Sequence, residues 1–369
     1  MKKSVAILAA FALVAGFAAT AAAADWSFYG SARMTTFSST LSEEAPSNPM
    51  QPALYDDTDT AWTLQGNSRI GANVSAGDVS GRFEYGTGVN LRILYGAWDF
   101  GGGQLLVGQT YTPVTQLLSS QVYNGDNGLL NMGEFYAGRQ PMIQLTFGGF
   151  KVALIAPSTT LGSGGPSTDV DTLLPKIEAS YKFSTDMFFV TPYGGYNSVD
   201  AVNATDQDEG IDSYVAGVAG GVTLGMATIK ANFYMAQNPV AYGATAGTAG
   251  APVDGVDLGR GVGTPIWNGT SFVDMDEMGG LLLASFKFSD MIGLEAGIGY
   301  KSQEYDDAGQ TWERDTMTYY AQLPITLADG VYIIPEVGMY DFGDLEQTGL
   351  ADIDLGDLSY IGAKWMINF

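Results

Sequence analysis

From Trp26 onward the chain alternates apolar and polar residues in segment after segment, a period of two that specifies β-strands half covered by a membrane or a core. Ala61–Ala76 shows it most cleanly. Trp62, Leu64, Gly66, Ser68, Ile70, Ala72 and Val74 fall on one face, and Thr63, Gln65, Asn67, Arg69, Asn73 and Ser75 on the other. The connections between such segments are of two kinds. Short turns lie at Gly77-Asp78, Gly101–Gly103, Gly148-Gly149, Ser184–Asp186, Leu224–Met226, Phe288–Asp290 and Ala328–Gly330. Between them come Ser38–Asp59, Thr112–Gln140, Ser158–Leu173, Val199–Gly210, Asn238–Phe272, Gln303–Trp312 and Gly343–Gly356, with Gly86–Val89 the one brief connection on that side. A soluble β-sandwich alternates too, but does not segregate its connections this way. Short turns at one end and long loops at the other predict an all-β fold: a transmembrane antiparallel β-barrel of about 16 strands.

The N-terminus is a separate module. Lys2-Lys3, an apolar run from Val5 to about Ala19 and the small residues up to Ala24 read as a secretory signal peptide, residues 1–24. The barrel is then expected over 25–369, leaving 345 of the 369 residues. Loss of the two signal lysines moves the formal net charge from −24 to −26. The exported chain has no further apolar run near the roughly 18 residues of a membrane helix. It has no Cys and no His. That removes disulfides, thiol chemistry, Ser-His-Asp catalysis and most metal-ligand sets, so neither enzyme activity nor a cofactor is expected.

Thr112–Gln140 is the connection that matters most. It sits between two segments that read as strands, Gln104–Tyr111 and Pro141–Phe147, and its centre, Tyr123-Asn124-Gly125-Asp126-Asn127-Gly128, is turn chemistry throughout. Connections this long in a compact fold are usually functional. The expectation is a third long loop folded into the lumen as a constriction over 112–140; the plainer alternative is a surface excursion.

Two motifs carry a family resemblance. The last strand runs Ile361, Ala363, Trp365, Ile367, Phe369 on one face and ends on the aromatic Phe369, and the long loop contains Gly133-Glu134-Phe135. In these respects the chain resembles the Gram-negative general porins, which are trimeric, 16-stranded outer-membrane proteins. The resemblance implies a water-filled channel for passive diffusion of small hydrophilic solutes and ions, a homotrimer, contacts with outer-membrane lipid and lipopolysaccharide, and recognition of Phe369 by the barrel-assembly machinery. The implied location is the cell outer membrane, reached through the periplasm, with no nucleic-acid partner. The brief Gly86–Val89 connection departs from the family's latching loop. Two alternatives remain: a substrate-specific channel of about 18 strands, and a non-conducting structural or adhesive barrel.

Only 14 basic residues follow the signal, so their placement is informative. Arg33, Arg69, Arg82 and Arg92 fall on the polar faces of four successive strands, and Lys364 on that of the last strand, which neighbours the first in a closed barrel. They are expected to form a basic wall of the pore constriction, opposed across the bore by Asp126 and Glu134 of the loop. The bland alternative pairs each cation with a nearby acid such as Glu84. The remaining acids concentrate in the long connections, among them Glu43, Glu44, Asp56, Asp57, Asp254, Asp257, Asp306, Asp307, Asp352 and Asp354. They predict a repelling rim that concentrates cations at the mouth and a mild cation preference of the pore, the basic wall acting only locally; weak divalent-cation binding is the sharper alternative.

Overall fold

A computed structural model describes residues 24–42, 58–160, 167–172, 174–203, 208–243 and 263–369. The signal stretch and the loop acids Glu43, Glu44, Asp56, Asp57, Asp206, Asp254 and Asp257 lie outside these. Sixteen antiparallel strands form one closed sheet. They are β1 (Asp25–Leu41), β2 (Thr58–Leu64 and Arg69–Ala76), β3 (Val79–Gly86), β4 (Leu91–Asp99), β5 (Gln104–Tyr111) and β6 (Arg139–Phe147). There follow β7 (Phe150–Ile155), β8 (Lys176–Tyr181, continued by Phe183–Ser184), β9 (Phe188–Asn203), β10 (Asp208–Leu224), β11 (Ala227–Gln237) and β12 (Asp276–Lys287). The barrel ends with β13 (Gly293–Asp307), β14 (Gln310–Gln322 and Ile325–Ala328), β15 (Val331–Asp341) and β16 (Asp357–Asn368). β16 pairs with β1 from Ser31↔Asn368 to Leu41↔Leu358, which closes the barrel at sixteen strands and removes the 18-stranded alternative.

Two strands are interrupted for identifiable reasons. β14 breaks at Leu323-Pro324, where proline has no N–H to give the ladder. β2 breaks at a turn closed by Ser68 N–H donating to the Gln65 carbonyl at 2.8 Å, and this turn matters for the lumen. The alternation sets which way side chains face. Trp26, Phe28, Trp62, Ile70, Trp98, Val107, Ile143, Leu154, Phe233 and Trp365 are large, apolar and exposed. Without a bilayer so much exposed apolar surface would not persist on a monomer. Outer-membrane-type barrels carry an outward apolar band of this kind.

The seven short turns fall where the sequence places them. Two of the expected long connections are corrected. Over Val199–Gly210 and Gln303–Trp312 the strands run on, pairing Val202↔Asp208 and Asp307↔Gln310. Their apolar residues have partners: Tyr305 and Trp312 pack with Ile266, Val273 and Met275, and Val199, Ala201 and Ile211 pack together beside Val170 and Phe272.

Candidate functional site

The segment between β5 and β6 is folded into the barrel. One apolar cluster joins Val114, Leu118, Leu129, Phe135 and Ala137 of this segment to Tyr193, Tyr234, Leu281, Leu283 and Tyr320 of the wall. A second joins Val122, Tyr123 and Met132 to Phe37, Tyr340 and Tyr360. The Tyr123 and Tyr360 rings stack at 3.9 Å, and Phe135 meets Tyr234 edge-on at 4.9 Å. Tyrosine suits this wall because its ring packs while its hydroxyl finds a polar partner. Gln121 Nε2 donates to the Tyr340 and Tyr360 hydroxyls at 3.0 and 2.8 Å.

An irregular segment carries amides that no ladder pairs, and each needs an acceptor. Here carboxylates supply them. Val114 N–H donates to Glu178 of β8 at 3.3 Å, and Ser120 N–H to Glu295 of β13 at 2.8 Å. Val122 and Tyr123 N–H donate to the two oxygens of Glu336 on β15 at 2.7 and 2.8 Å. Leu118 and Ser119 donate to Glu134 within the segment itself. From the wall, Lys230 Nζ donates to the Leu118 carbonyl at 2.8 Å and Asn232 Nδ2 to the Gly133 carbonyl at 3.0 Å. Gly133 has φ +98°, and a Cβ there would strike the Gly280 carbonyl; one on Gly299 would strike the Met132 carbonyl. Backbone thus lies directly on backbone, a close approach only glycine permits.

The tip of the segment reaches β1 and β2. Arg33 Nη1 and Lys364 Nζ donate to the Asp126 carboxylate at 2.5 and 2.8 Å, and Gln65 Nε2 adds a bond at 2.9 Å. Gln65 also reaches the Asn124 carbonyl at 3.1 Å, and Asn67 donates to the Gly125 carbonyl. Beyond the tip, Arg69, Arg82 and Arg92 converge on the fully buried Glu84 at 3.5, 2.8 and 2.8 Å. Tyr29 OH donates to the same carboxylate at 2.9 Å.

The five cations named from sequence lie on adjoining strands, Arg33 and Lys364 bonded to Asp126 and Arg69, Arg82 and Arg92 gathered on Glu84. The two acids differ from expectation. Asp126 does not oppose the basic wall across a gap but is bonded to it. Glu134 does not reach the bore, being fully buried against the amides of Leu118 and Ser119, close to Lys230 and Glu295. Burial raises its carboxyl above the usual range, although those two amides and Lys230 pull the other way. Glu178, Glu295 and Glu336 were missed. Their sequence signal is slight: like Glu84 and Glu277 they are acids on polar strand faces, in a chain that keeps many of its other acids in the connections.

No protein-family model matches this sequence, and no curated protein matches it either. The structure superposes on the outer membrane channel DcaP of Acinetobacter baumannii with a TM-score of 0.64 at 13% identity, covering 94% of this chain and 98% of that one. OmpT expressed in the outer membrane of Vibrio cholerae gives 0.56 at 16% identity, covering 93% and 98%. An anion-selective porin from Comamonas acidovorans gives 0.52 at 10% identity, covering 94% and 100%. The fold is that of the 16-stranded outer-membrane porins. The exposed apolar belt and the inward segment 112–138 of this chain sit on that architecture.

Proposed function

We propose that this chain is an exported, non-enzymatic, passive pore for small hydrophilic solutes and ions, with residues 112–140 as its constriction and three copies in the membrane. The observation that supports this most is the continuity of the anchoring. Bonds from the segment run round the wall from β8 through β11, β13, β15 and β16 to β1 and β2. Such a belt narrows the lumen to a fixed shape, which is what size selection needs. Strands β2, β3 and β4 continue the circle with Arg69, Arg82 and Arg92, so the charged sector of the wall comes next to the loop tip. The homotrimer draws support from the trimer form recorded for the Vibrio cholerae OmpT neighbour. Lipid and lipopolysaccharide against the apolar belt, and assembly machinery reading Phe369, complete the reading.

Reconstitution of the folded protein into planar bilayers is the test. Stepwise ohmic conductance is expected, rising strongly when Asn124–Asn131 is deleted. Silent bilayers with folded protein would leave a plugged structural barrel instead, and unchanged conductance in the deletion would remove the constriction.

A further inference from the structure

Below the base of the inward segment, at the short-turn end of the barrel, lies a cavity of about 720 Å³. Its lining includes Lys151, Lys182 and Lys230, together with Ser180, Thr191 and Gln116, and no acidic residue. For a chain with 40 acids and 16 bases this is a marked local inversion of charge. The topology makes the crowding specific. Ser180 of β8 pairs with Lys151 of β7, and Lys182 lies two residues on, so the two lysines are diagonal neighbours on one face. Diagonal cross-strand neighbours sit about 7–8 Å apart, a spacing at which like charges repel. None of the three lysines forms an ion pair among the described residues. Lys230 is fixed by its bond to the Leu118 carbonyl, and the Lys182 ammonium stands 5.0 Å from the centre of the Phe189 ring. Two carboxylates are nearby and both are buried and engaged: Glu134 by the Leu118 and Ser119 amides, and Glu178, the other diagonal neighbour of Lys151, by the Val114 amide and Lys176.

We propose that this basin holds a small multivalent oxyanion of the phosphate class, free or as a monoester, bridged by Lys151 and Lys182 with Lys230 as the third cation. A dianion would relieve the repulsion between the diagonal lysines, and the Ser180 and Thr191 hydroxyls offer donors to its remaining oxygens. Lys151 and Lys182 are exposed, so a doubly charged ligand gains by meeting both cations at once, and the gain falls as salt rises. Chloride, with one charge, cannot bridge two ammonium groups in the same way.

The test uses the full folded protein in detergent and does not depend on conduction. Inorganic phosphate is titrated by calorimetry and by phosphorus-NMR line broadening at constant ionic strength, with glycerol phosphate in a parallel arm. Saturable binding is expected, weakened at least tenfold in the Lys151→Ala/Lys182→Ala double variant and unchanged in Lys287→Gln, a cation at the exposed end of β12. Tighter binding of glycerol phosphate than of phosphate assigns the basin to monoesters, and the reverse to the free ion. Should the double variant fail to fold, Lys230→Gln is expected to weaken binding and Lys182→Arg to preserve it. Absence of saturable binding, or equal binding in the lysine variants and the parent, overturns the proposal. Binding by a protein that conducts nothing would leave the basin standing and remove the pore.

Discussion

Replacing Asp126 by Asn should loosen the tip of the inward loop without disturbing the barrel. Position 126 has φ +60°, a left-handed conformation that Asn tolerates as well as Asp, so the substitution isolates the charge. The amide oxygen can still accept from Gln65, whereas the pairs to Arg33 and Lys364 lose their anion. The side chains of Arg33, Asp126 and Lys364 are 15%, 19% and 8% exposed, intermediate between surface and interior. Exposed pairs contribute about 0.2–1 kcal/mol, and breaking a buried pair costs about 3–5 kcal/mol. A cost of ~1–3 kcal/mol for the seated tip follows, roughly a 5- to 150-fold rise in the open fraction. Two cations also lose their ion pair, so that of the five only Arg69, Arg82 and Arg92 would keep one, with Glu84. Single-channel recordings should show larger, noisier currents with greater anion preference, and amide exchange at residues 122–127 should accelerate while that of the strands does not. Currents and exchange identical to the parent would refute the latch.

Four further outcomes are expected. Gly299→Val should lift the loop off β13, because its side chain would occupy the position of the Met132 carbonyl; faster exchange at Leu129–Gly133 checks it, and unchanged exchange would show that the contact is loose. Reversal potentials in a salt gradient should show anion preference, the reverse of the cation preference expected from the loop acids, since Asp126 is already paired and Glu134 buried; the preference should fade as salt rises past the point where screening acts over about 8–10 Å. Arg82→Ala should enlarge conductance and shift selectivity toward cations, which the same recordings report. Burial holds the Glu134 carboxyl above its unfolded value, so its contribution to loop seating is complete below the unfolded value and lost as pH rises through the folded one. Exchange at the Leu118 amide should therefore quicken on that rise, and Glu134→Gln should abolish the dependence.

What the sequence revealed and what it concealed separate on physical grounds. Strand identity was legible because lipid and lumen impose opposite demands on alternate residues, so Trp62 and Gln65 announce their faces without reference to anything distant. The same parity placed Arg33, Arg69, Arg82 and Arg92 together, since successive antiparallel strands bring like faces side by side. The inward segment was legible through its length and turn chemistry, to within two residues of its observed span, 112–138. Over Val199–Gly210 and Gln303–Trp312 the reading failed because polar, acidic strand ends resemble loops; pairing decided the matter there, helped by apolar contacts to a distant connection. Pairing across the lumen was also illegible. Nothing local tells that Glu336 accepts amides from residues more than two hundred positions earlier, or that Glu134 turns back on Leu118.

The acids of the lumen and the cations of the wall divide the work of the site between them. Glu178, Glu295 and Glu336 lie on faces where a pore would ordinarily display charge to passing ions, yet each accepts backbone amides of the loop. The loop needs such support. Asn124, Asp126, Leu129 and Asn131 all have positive φ within eight residues, and Leu129 is the costliest because it has neither glycine's freedom nor the short polar side chain of Asn or Asp. A conformation of that kind persists only where its surroundings over-determine it. Carboxyl groups are well suited to the task, because each offers two oxygens and can take two amides, as Glu336 does from Val122 and Tyr123. Their use as anchors takes most lumenal negative charge out of the field that a permeating ion meets, while Arg69, Arg82 and Arg92 share one carboxylate and keep a net positive charge. A chain with a large acidic excess thereby builds a basic interior, and the same acids that hold the loop's shape are the reason its lumen should favour anions.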